Sequence, residues 1–132
     1  TPFTFSNDTK VLVVEDNPLN MELIADILGT EGYQIYQAFN SEEALVLLKK
    51  IRPDLILMDI QLPGMDGLTL TRLLKGKDDF KHIPIVAVTA HTMKGDREKA
   101  FQAGCDGYIS KPIDVKIFPS VIESFISKRG AQ

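Results

Sequence analysis

Five short apolar runs alternate along the chain with stretches whose apolar residues recur at helical spacing. The runs occupy residues 11–14, 33–38, 55–58, 85–88 and 108–109. Three of them, with the sequences VLVV, LILM and IVAV, are apolar throughout, as expected for central parallel strands that are covered on both faces. The second run alternates in part and the fifth is short, which is typical of strands near the edges of a sheet.

Helical spacing predicts a helix after each of these strands. Asn17 followed by Pro18 is typical of a helix start, and Ser41 is expected to cap the second helix. The fourth helix, predicted over about 93–103, is polar and weakly amphipathic, and Phe101 is expected to be its main apolar anchor. Strands that alternate with helices in this way predict an α/β fold with a parallel sheet between two helical layers. Such sheets bind ligands beyond the carboxyl ends of their strands.

The last predicted helix contains a local conflict. If it began at Asp114, Pro119 would lie inside it, where proline removes a backbone hydrogen bond and clashes with the preceding turn. We therefore expect either an irregular first turn, with the helix proper beginning at Pro119, or a kink there. Residues 1–9 and 129–132 are predicted to be tails on either side of one domain at residues 10–128.

Composition is that of one globular domain. The 132 residues are 44% hydrophobic and 25% charged, with a net charge of −3, so nucleic-acid binding by this chain is not expected. The chain has no apolar run near the roughly 20 residues that span a bilayer. Its first ten residues lack a basic segment followed by an apolar one, so they are not expected to be a secretion signal. A cytoplasmic location without membrane insertion is therefore expected. The single Cys105 cannot form an internal disulfide and is expected to be a small packing residue.

Polar residues follow four of the predicted strands. Glu15 and Asp16 follow the first strand, Asp59 the third, Thr89 the fourth and Lys111 the fifth. Because the carboxyl ends of neighbouring parallel strands meet at one edge of the sheet, these groups are expected to converge. Each of them alone has an ordinary explanation as a helix cap, a strand end or a surface charge. Together they indicate a functional site.

Three converging carboxylates require a compensating charge. Two carboxylates about 4 Å apart repel by roughly 4 kcal/mol at an effective dielectric constant near 20, so the cluster needs a cation or a raised pKa. Mg²⁺ prefers such oxygen ligands, and Mn²⁺ or Ca²⁺ could substitute for it. Asp59 could also act as a nucleophile that forms an acyl phosphate. Lys111 and the Thr89 hydroxyl would then each contact and stabilise a phosphoryl oxygen.

Four stretches, KVLVVEDNPLN, PDLILMDIQLPGMDG, IPIVAVTA and CDGYISKPI, resemble the response-regulator receiver domains of two-component signalling. The resemblance covers about residues 10–128 and implies a flavodoxin-like (βα)₅ fold whose five-stranded parallel sheet has the order 2-1-3-4-5. It implies that Asp59 is the phosphoacceptor and that Lys111 contacts the phosphoryl group, with a cis Lys111–Pro112 bond. The implied metal ligands are Glu15, Asp16, Asp59 and the backbone carbonyl of Gln61.

The same resemblance implies a switch and a set of partners. Thr89 would shift toward the phosphoryl group and Tyr108 would turn inward, which changes the face formed by helix four, strand five and helix five. A histidine kinase or a histidine phosphotransfer protein would be the donor, and a downstream protein or a phosphorylation-dependent homodimer would be the response. Leu19 and residues 112–113 would either pack locally or dock the donor helix. The segment GDREKA is more similar to receivers of hybrid kinases and stand-alone regulators than to those fused to DNA-binding domains.

The sequence also bears on three other functions. Phosphatases and mutases that use an aspartyl phosphate place a second aspartate two residues after the nucleophile, where this chain has Gln61. Nucleotide-binding domains need a glycine-rich turn after the first strand, and the sequence there is EDNPLN. A receiver-like scaffold that accepts no phosphate remains an alternative. The chain is expected to catalyse its own phosphorylation and dephosphorylation only, and so not to be an enzyme acting on other molecules.

Overall fold

A computed structural model describes the backbone of residues 9–90 and 95–130 and the side chains of residues 9–90 and 95–126. Strands and helices alternate through these ranges. The strands are β1 (Lys10–Val14), β2 (Gln34–Ala38), β3 (Leu55–Met58), β4 (Ile85–Thr89) and β5 (Gly107–Ser110). The helices are α1 (Pro18–Thr30), α2 (Ser41–Leu48), α3 (Gly67–Lys75), α4 (Asp96–Ala103) and α5 (Phe118–Gly130).

All five strands are parallel and lie in the order β2-β1-β3-β4-β5, so the predicted flavodoxin-like topology and both predicted edge strands are confirmed. The register aligns the carboxyl ends of the inner strands. Val14 at the end of β1 lies opposite Met58 at the end of β3. Thr89 at the end of β4 lies opposite Ser110 at the end of β5. The residues that follow these strands therefore emerge at one edge of the sheet.

The central strands are apolar except at Lys10 and Thr89, because both of their faces are covered. Alternate residues enter two separate cores, as the two-residue period of a strand requires. On one face, Leu12 and Val14 pack in a cluster that receives buried residues from α2, α3 and α4. On the other face, Val11 and Val13 pack in a cluster built with α1 and α5. No helix within the described ranges is long and apolar enough to cross a bilayer.

Helix α2 begins differently from the prediction. Asn40, not Ser41, is its N-cap, and the Asn40 side chain accepts a hydrogen bond of 2.8 Å from the backbone N–H of Glu43. Ser41 is fully buried, and its hydroxyl donates a 2.7 Å hydrogen bond to the backbone carbonyl of Met65. The serine therefore joins the start of α2 to the loop before α3.

Helix α4 packs through small residues. Phe101 is 40% exposed, so the prediction that it anchors the helix is wrong, and the buried apolar residues are Ala100 and Ala103. The start predicted near residue 93 lies outside the described residues. The helix that is described begins at Asp96.

Helix α5 begins one residue before Pro119, which confirms the first of the two predicted alternatives. The carbonyl of Asp114 accepts hydrogen bonds from the backbone N–H groups of Ile117 and Phe118, so a separate turn precedes the helix. Pro119 lies in the first helical turn, where a backbone N–H has no partner within the helix. Its missing donor therefore costs nothing.

Candidate functional site

Two acidic side chains are placed by the sheet itself. The Asp59 N–H donates to the carbonyl of Val14 at 2.9 Å, and the Glu15 N–H donates to the carbonyl of Ala38 at 3.0 Å. These bonds continue the ladders one residue beyond the strands, so both residues are held as firmly as strand residues. Glu15 is 1% exposed and Asp59 is 5% exposed, while Asp16 is exposed.

A carboxylate cluster forms at this edge. Oxygen atoms of Glu15, Asp16 and Asp59 all lie within 4.8 Å of one another. The ammonium of Lys111 lies 2.6 Å from Oε1 of Glu15 and 3.3 Å from Oδ2 of Asp59. Three ionised carboxylates against one ammonium leave two negative charges uncompensated among these four side chains. This net negative charge favours the binding of a further cation.

The pKa of Glu15 reflects this crowding. Burial raises the pKa of Glu15 above its ordinary value of 4.5, the hydrogen bond from Lys111 opposes the rise, and the charge of Asp59 adds to it. The Asn17 N–H also donates to Oε2 of Glu15 at 3.1 Å. Raised acid pKa values among converging polar groups are typical of functional sites.

Asp59 is held through both of its carboxylate oxygens. Oδ1 accepts a 2.9 Å hydrogen bond from the N–H of Gln61, and Oδ2 faces the Lys111 ammonium. The predicted metal contact of the Gln61 carbonyl stays a prediction. What the structure records at Gln61 is an exposed residue whose N–H orients Asp59.

Gly67 is a site-building residue that the sequence reasoning missed. Its N–H donates to the carbonyl of Ile60 at 3.0 Å, so the segment after β3 folds back on itself. A Cβ atom at Gly67 would lie 2.1 Å from the backbone carbonyl oxygen of Asp59. Only glycine allows this approach. The signal was available in the sequence as the glycine that ends PGMDG, directly before a predicted helix.

Lys111 is positioned by the neighbouring strand end. Its N–H donates to the carbonyl of Thr89 at 2.9 Å, and the Lys111–Pro112 bond is cis, as predicted. Thr89 itself is fully buried at the end of β4. The ammonium reaches the carboxylate cluster from β5, so residues from β1, β3 and β5 meet there.

The predicted switch tyrosine lies outside this cluster. Tyr108 is half-buried in β5 and packs against the core face that receives α2, α3 and α4. Burial raises the pKa of Tyr108, and the negative charge of Asp96 in the first turn of α4 adds to the rise. Tyr108 is therefore linked electrostatically to α4.

The residues that flank the cluster differ in exposure. Leu19 in the first turn of α1 is 75% exposed, and Pro112 is exposed as well. Ile113 is half-buried and packs against the core shared by α1 and α5. Leu19 is thus available for a partner, whereas Ile113 has a packing role.

Comparisons with known proteins identify the family of the chain. The profile of the response regulator receiver domain matches residues 11–123. The chain is 52% identical over 116 residues to the polar-differentiation response regulator DivK of Brucella anthropi, across 88% of this chain and 94% of that protein. It is 49% identical over 116 residues to DivK of Brucella ovis, with the same coverage.

Solved structures give the same result. The signal receiver domain of a histidine kinase from Syntrophus aciditrophicus matches with a TM-score of 0.84 and 35% identity over 91% of each chain. The receiver domain of a sensor histidine kinase from Pseudomonas aeruginosa, which holds a magnesium ion in its active site cleft, matches with a TM-score of 0.83 and 33% identity. That match covers 91% of this chain and 98% of the other. The chain therefore belongs to the family of response regulator receiver domains.

Proposed function

We propose that the chain is a signalling switch that accepts a phosphoryl group on Asp59 in a reaction dependent on a divalent cation. The observation that carries the proposal is the environment of this carboxylate. Asp59 is 5% exposed, both of its oxygens are oriented by hydrogen bonds, and an ammonium lies 3.3 Å away. A carboxylate that only capped a turn would need neither the burial nor the second acid beside it.

The reaction follows from the nucleophile. A carboxylate oxygen of Asp59 attacks the phosphorus of a phosphohistidine, the phosphorus–nitrogen bond breaks, and its electron pair returns to the imidazole. Phosphoryl transfer through a loose transition state depends mainly on positioning and charge neutralisation. The Lys111 ammonium, already beside Asp59, can supply positive charge to a phosphoryl oxygen. The ion pair with Glu15 holds the Lys111 ammonium close to Asp59.

The donor set fits Mg²⁺. The three clustered carboxylates offer hard oxygen ligands within 4.8 Å of one another, and magnesium takes one or two carboxylates together with water and phosphate oxygens. Asp16, Asp59 and the Gln61 carbonyl would hold the ion, with Glu15 close by. When bound, the ion offsets the charge of the carboxylates and of the incoming phosphoryl group. Mn²⁺ or Ca²⁺ could substitute.

Phosphorylation would be read out through Thr89 and Tyr108. A phosphoryl group adds about 1.5 to 2 negative charges and strong acceptor oxygens at neutral pH, which favours movement of the Thr89 hydroxyl toward it. The carbonyl of Thr89 accepts a hydrogen bond from the N–H of Lys111, the residue that follows β5, so Thr89 is linked to the end of β5. Tyr108 lies on β5 and is coupled to Asp96 of α4. The responding face would therefore be formed by α4, β5 and α5.

The partners proposed are those of a response regulator. A histidine kinase or histidine phosphotransfer protein would supply the phosphoryl group and could use the exposed Leu19 as a contact. The response would be binding of a downstream protein or a phosphorylation-dependent homodimer, in the cytoplasm. Apart from this self-modification, no turnover of other substrates is proposed.

Mass spectrometry can test the proposal. Incubation with acetyl phosphate and MgCl₂ should add about 80 Da, the mass of one phosphoryl group. Excess EDTA should prevent the addition, and Asp59→Asn should abolish it because an amide is not a nucleophile for phosphorus. Asp78→Asn is the matched control, because Asp78 is highly exposed and distant in sequence from the cluster. An adduct that persists in Asp59→Asn, or one that is indifferent to EDTA, would refute the proposal. No adduct at all would favour the phosphate-independent scaffold.

A further inference from the structure

A second charged surface lies at the amino ends of the strands, whereas Asp59 lies at their carboxyl ends. Residues 49–54 and 72–81 carry seven lysines and arginines against three aspartates, although the whole chain has 15 basic and 18 acidic residues. These segments include the ends of α2 and α3 and the residues leading toward β3 and β4, so they lie at the amino ends of the strands. The four residues of β3 separate its amino end from its carboxyl end, and hence the two charged surfaces, by about 13 Å. The chain is thus acidic at the carboxyl edge and basic at the amino edge.

An apolar groove adjoins this basic edge. The α2–α3 groove, as we define it, has a volume of about 440 Å³. Its apolar residues are Leu45, Leu48, Leu73 and Phe80, its basic residues are Lys49, Arg52 and Lys77, and its one acid is Asp79. Leu73 is 39% exposed, although it lies on the helix whose Leu70 and Leu74 are fully buried. Apolar surface beside lysines is therefore presented to solvent. Such an arrangement is a feature of binding grooves.

One side of the groove is formed by Arg52 and Phe80. The guanidinium of Arg52 lies 4.7 Å above the ring of Phe80, and its Nη1 donates a 2.6 Å hydrogen bond to the carbonyl of Leu48. It also faces Asp79 at 3.6 Å. Arg52 therefore has partners within the chain.

The lysines of the groove have no comparable partners. Asp78 faces Lys81 at 3.2 Å, and Asp79 faces Arg52, so the local acids are engaged. Within the described residues, Lys49 and Lys77 form no ion pair. Basic residues near helix ends interact favourably with the helix dipole, which gives a local reason for Lys49. It gives no reason for the exposed leucine surface between the two lysines.

We infer that the α2–α3 groove binds an acidic amphipathic helix of a partner protein. Apolar side chains on one face of that helix would contact Leu45 and Leu73, and its Asp or Glu residues would face Lys49 and Lys77. The apolar floor is a poor match for nucleic acid, whose phosphates need a basic surface. The site is separate from Asp59 and does not require phosphorylation.

Peptide binding followed by nuclear magnetic resonance tests this inference. The probe is a capped peptide of about 14 residues, or four turns, with leucines on one face and flanking glutamates. The matched peptide has lysines in place of the glutamates. Amide shifts of the ¹⁵N-labelled chain should concentrate on the α2–α3 groove with the acidic peptide and be far weaker with the basic one. Affinity should be the same for the unmodified and the acetyl-phosphate-treated chain.

Charge-reversal variants provide the control. Lys49→Glu combined with Lys77→Glu should weaken the acidic peptide about tenfold, since two favourable charge contacts become repulsive. Lys99→Glu combined with Lys116→Glu changes the net charge equally at exposed residues elsewhere and should alter affinity by less than about twofold. Leu73→Ala keeps the charge and should also weaken binding. Circular dichroism melting checks that each variant is folded.

Several results would overturn the inference. Equal binding of both peptides, shifts that map outside the groove, or a Lys49→Glu/Lys77→Glu variant that binds like the unmodified chain would each do so. Vesicles containing phosphatidylglycerol and sedimentation of the chain alone test the other occupants. If either shows binding through Lys49 and Lys77 while the peptide does not bind, a membrane or a second copy occupies the groove and the inference is wrong.

Discussion

Replacement of Lys111 by methionine should destabilise the folded chain. The ammonium lies 2.6 Å from a Glu15 oxygen and 3.3 Å from an Asp59 oxygen, and both acids are almost fully buried. Each contact is a gross attraction of roughly 5 to 6 kcal/mol at an effective dielectric constant near 20, much of which the desolvation of the charges offsets. Removal of the cation leaves buried carboxylates uncompensated, and we expect a net loss of about 3 kcal/mol.

Urea unfolding in EDTA, followed by circular dichroism, measures this loss. Methionine keeps most of the side-chain volume, so the change reports charge more than packing. The double variant Glu15→Gln/Lys111→Met should recover most of the stability, because it removes one acid together with the cation. Lys50→Met is the matched control at an exposed lysine, and its unfolding free energy should stay within about 0.5 kcal/mol of the unmodified chain.

A Lys111→Met variant that unfolds with the same free energy as the unmodified chain would contradict this prediction. So would a double variant whose loss equals the sum of the losses measured for Lys111→Met alone and Glu15→Gln alone. Either result would mean that the contacts around Lys111 are too screened to contribute, and that its role is limited to the phosphoryl group.

Two further predictions concern other residues. Gly67→Ala should lower the free energy of unfolding in urea by about 1 to 3 kcal/mol and slow labelling by acetyl phosphate, because the new Cβ would displace the Asp59 carbonyl. Gly29→Ala is the control, since a Cβ at this helical position would meet nothing within 4 Å, and it should be neutral or stabilising. Equal effects at the two glycines would contradict the steric argument. Burial raises the pKa of the Cys105 thiol from 9.0 to about 11, so the thiolate is disfavoured in the folded state and this group lowers stability as pH rises from 9.0 toward 11. Iodoacetamide labelling at pH 8, followed by mass spectrometry, should accordingly be about a hundredfold slower than in urea, and equal rates would show that the thiol is accessible.

Much of the fold was predictable because its determinants are local in sequence. The three central strands are apolar except at Lys10 and Thr89, because both of their faces are covered, and that pattern can be recognised without knowing which residues pack against them. The position of Glu15, Asp59 and Lys111 at one edge follows from parallel strands with aligned carboxyl ends. Pro119 marked the start of α5 because proline is tolerated only in the first helical turn.

Residues whose roles depend on a distant contact were not predictable. Asn40 and Ser41 are both good caps, and the choice between them was decided by the Met65 carbonyl, 24 residues away, which binds the Ser41 hydroxyl. Phe101 has the more apolar side chain, yet the close packing of α4 selected Ala100. Side-chain chemistry alone cannot rank such alternatives, because the free energy that separates them comes from packing.

The carboxylate cluster shows the same division. The sequence by itself determined which chemical groups follow the strands, and therefore that acids and a lysine would meet at one edge. Only the tertiary structure decided that Lys111 lies closer to Glu15 than to Asp59, and that Gly67 must lack a side chain for the backbone to pass Asp59. The physical reason is how far apart in sequence the interacting residues lie. Strand and helix patterns are set by neighbours in sequence, whereas ion pairs and backbone approaches are set by atoms that only the folded chain brings within a few ångströms.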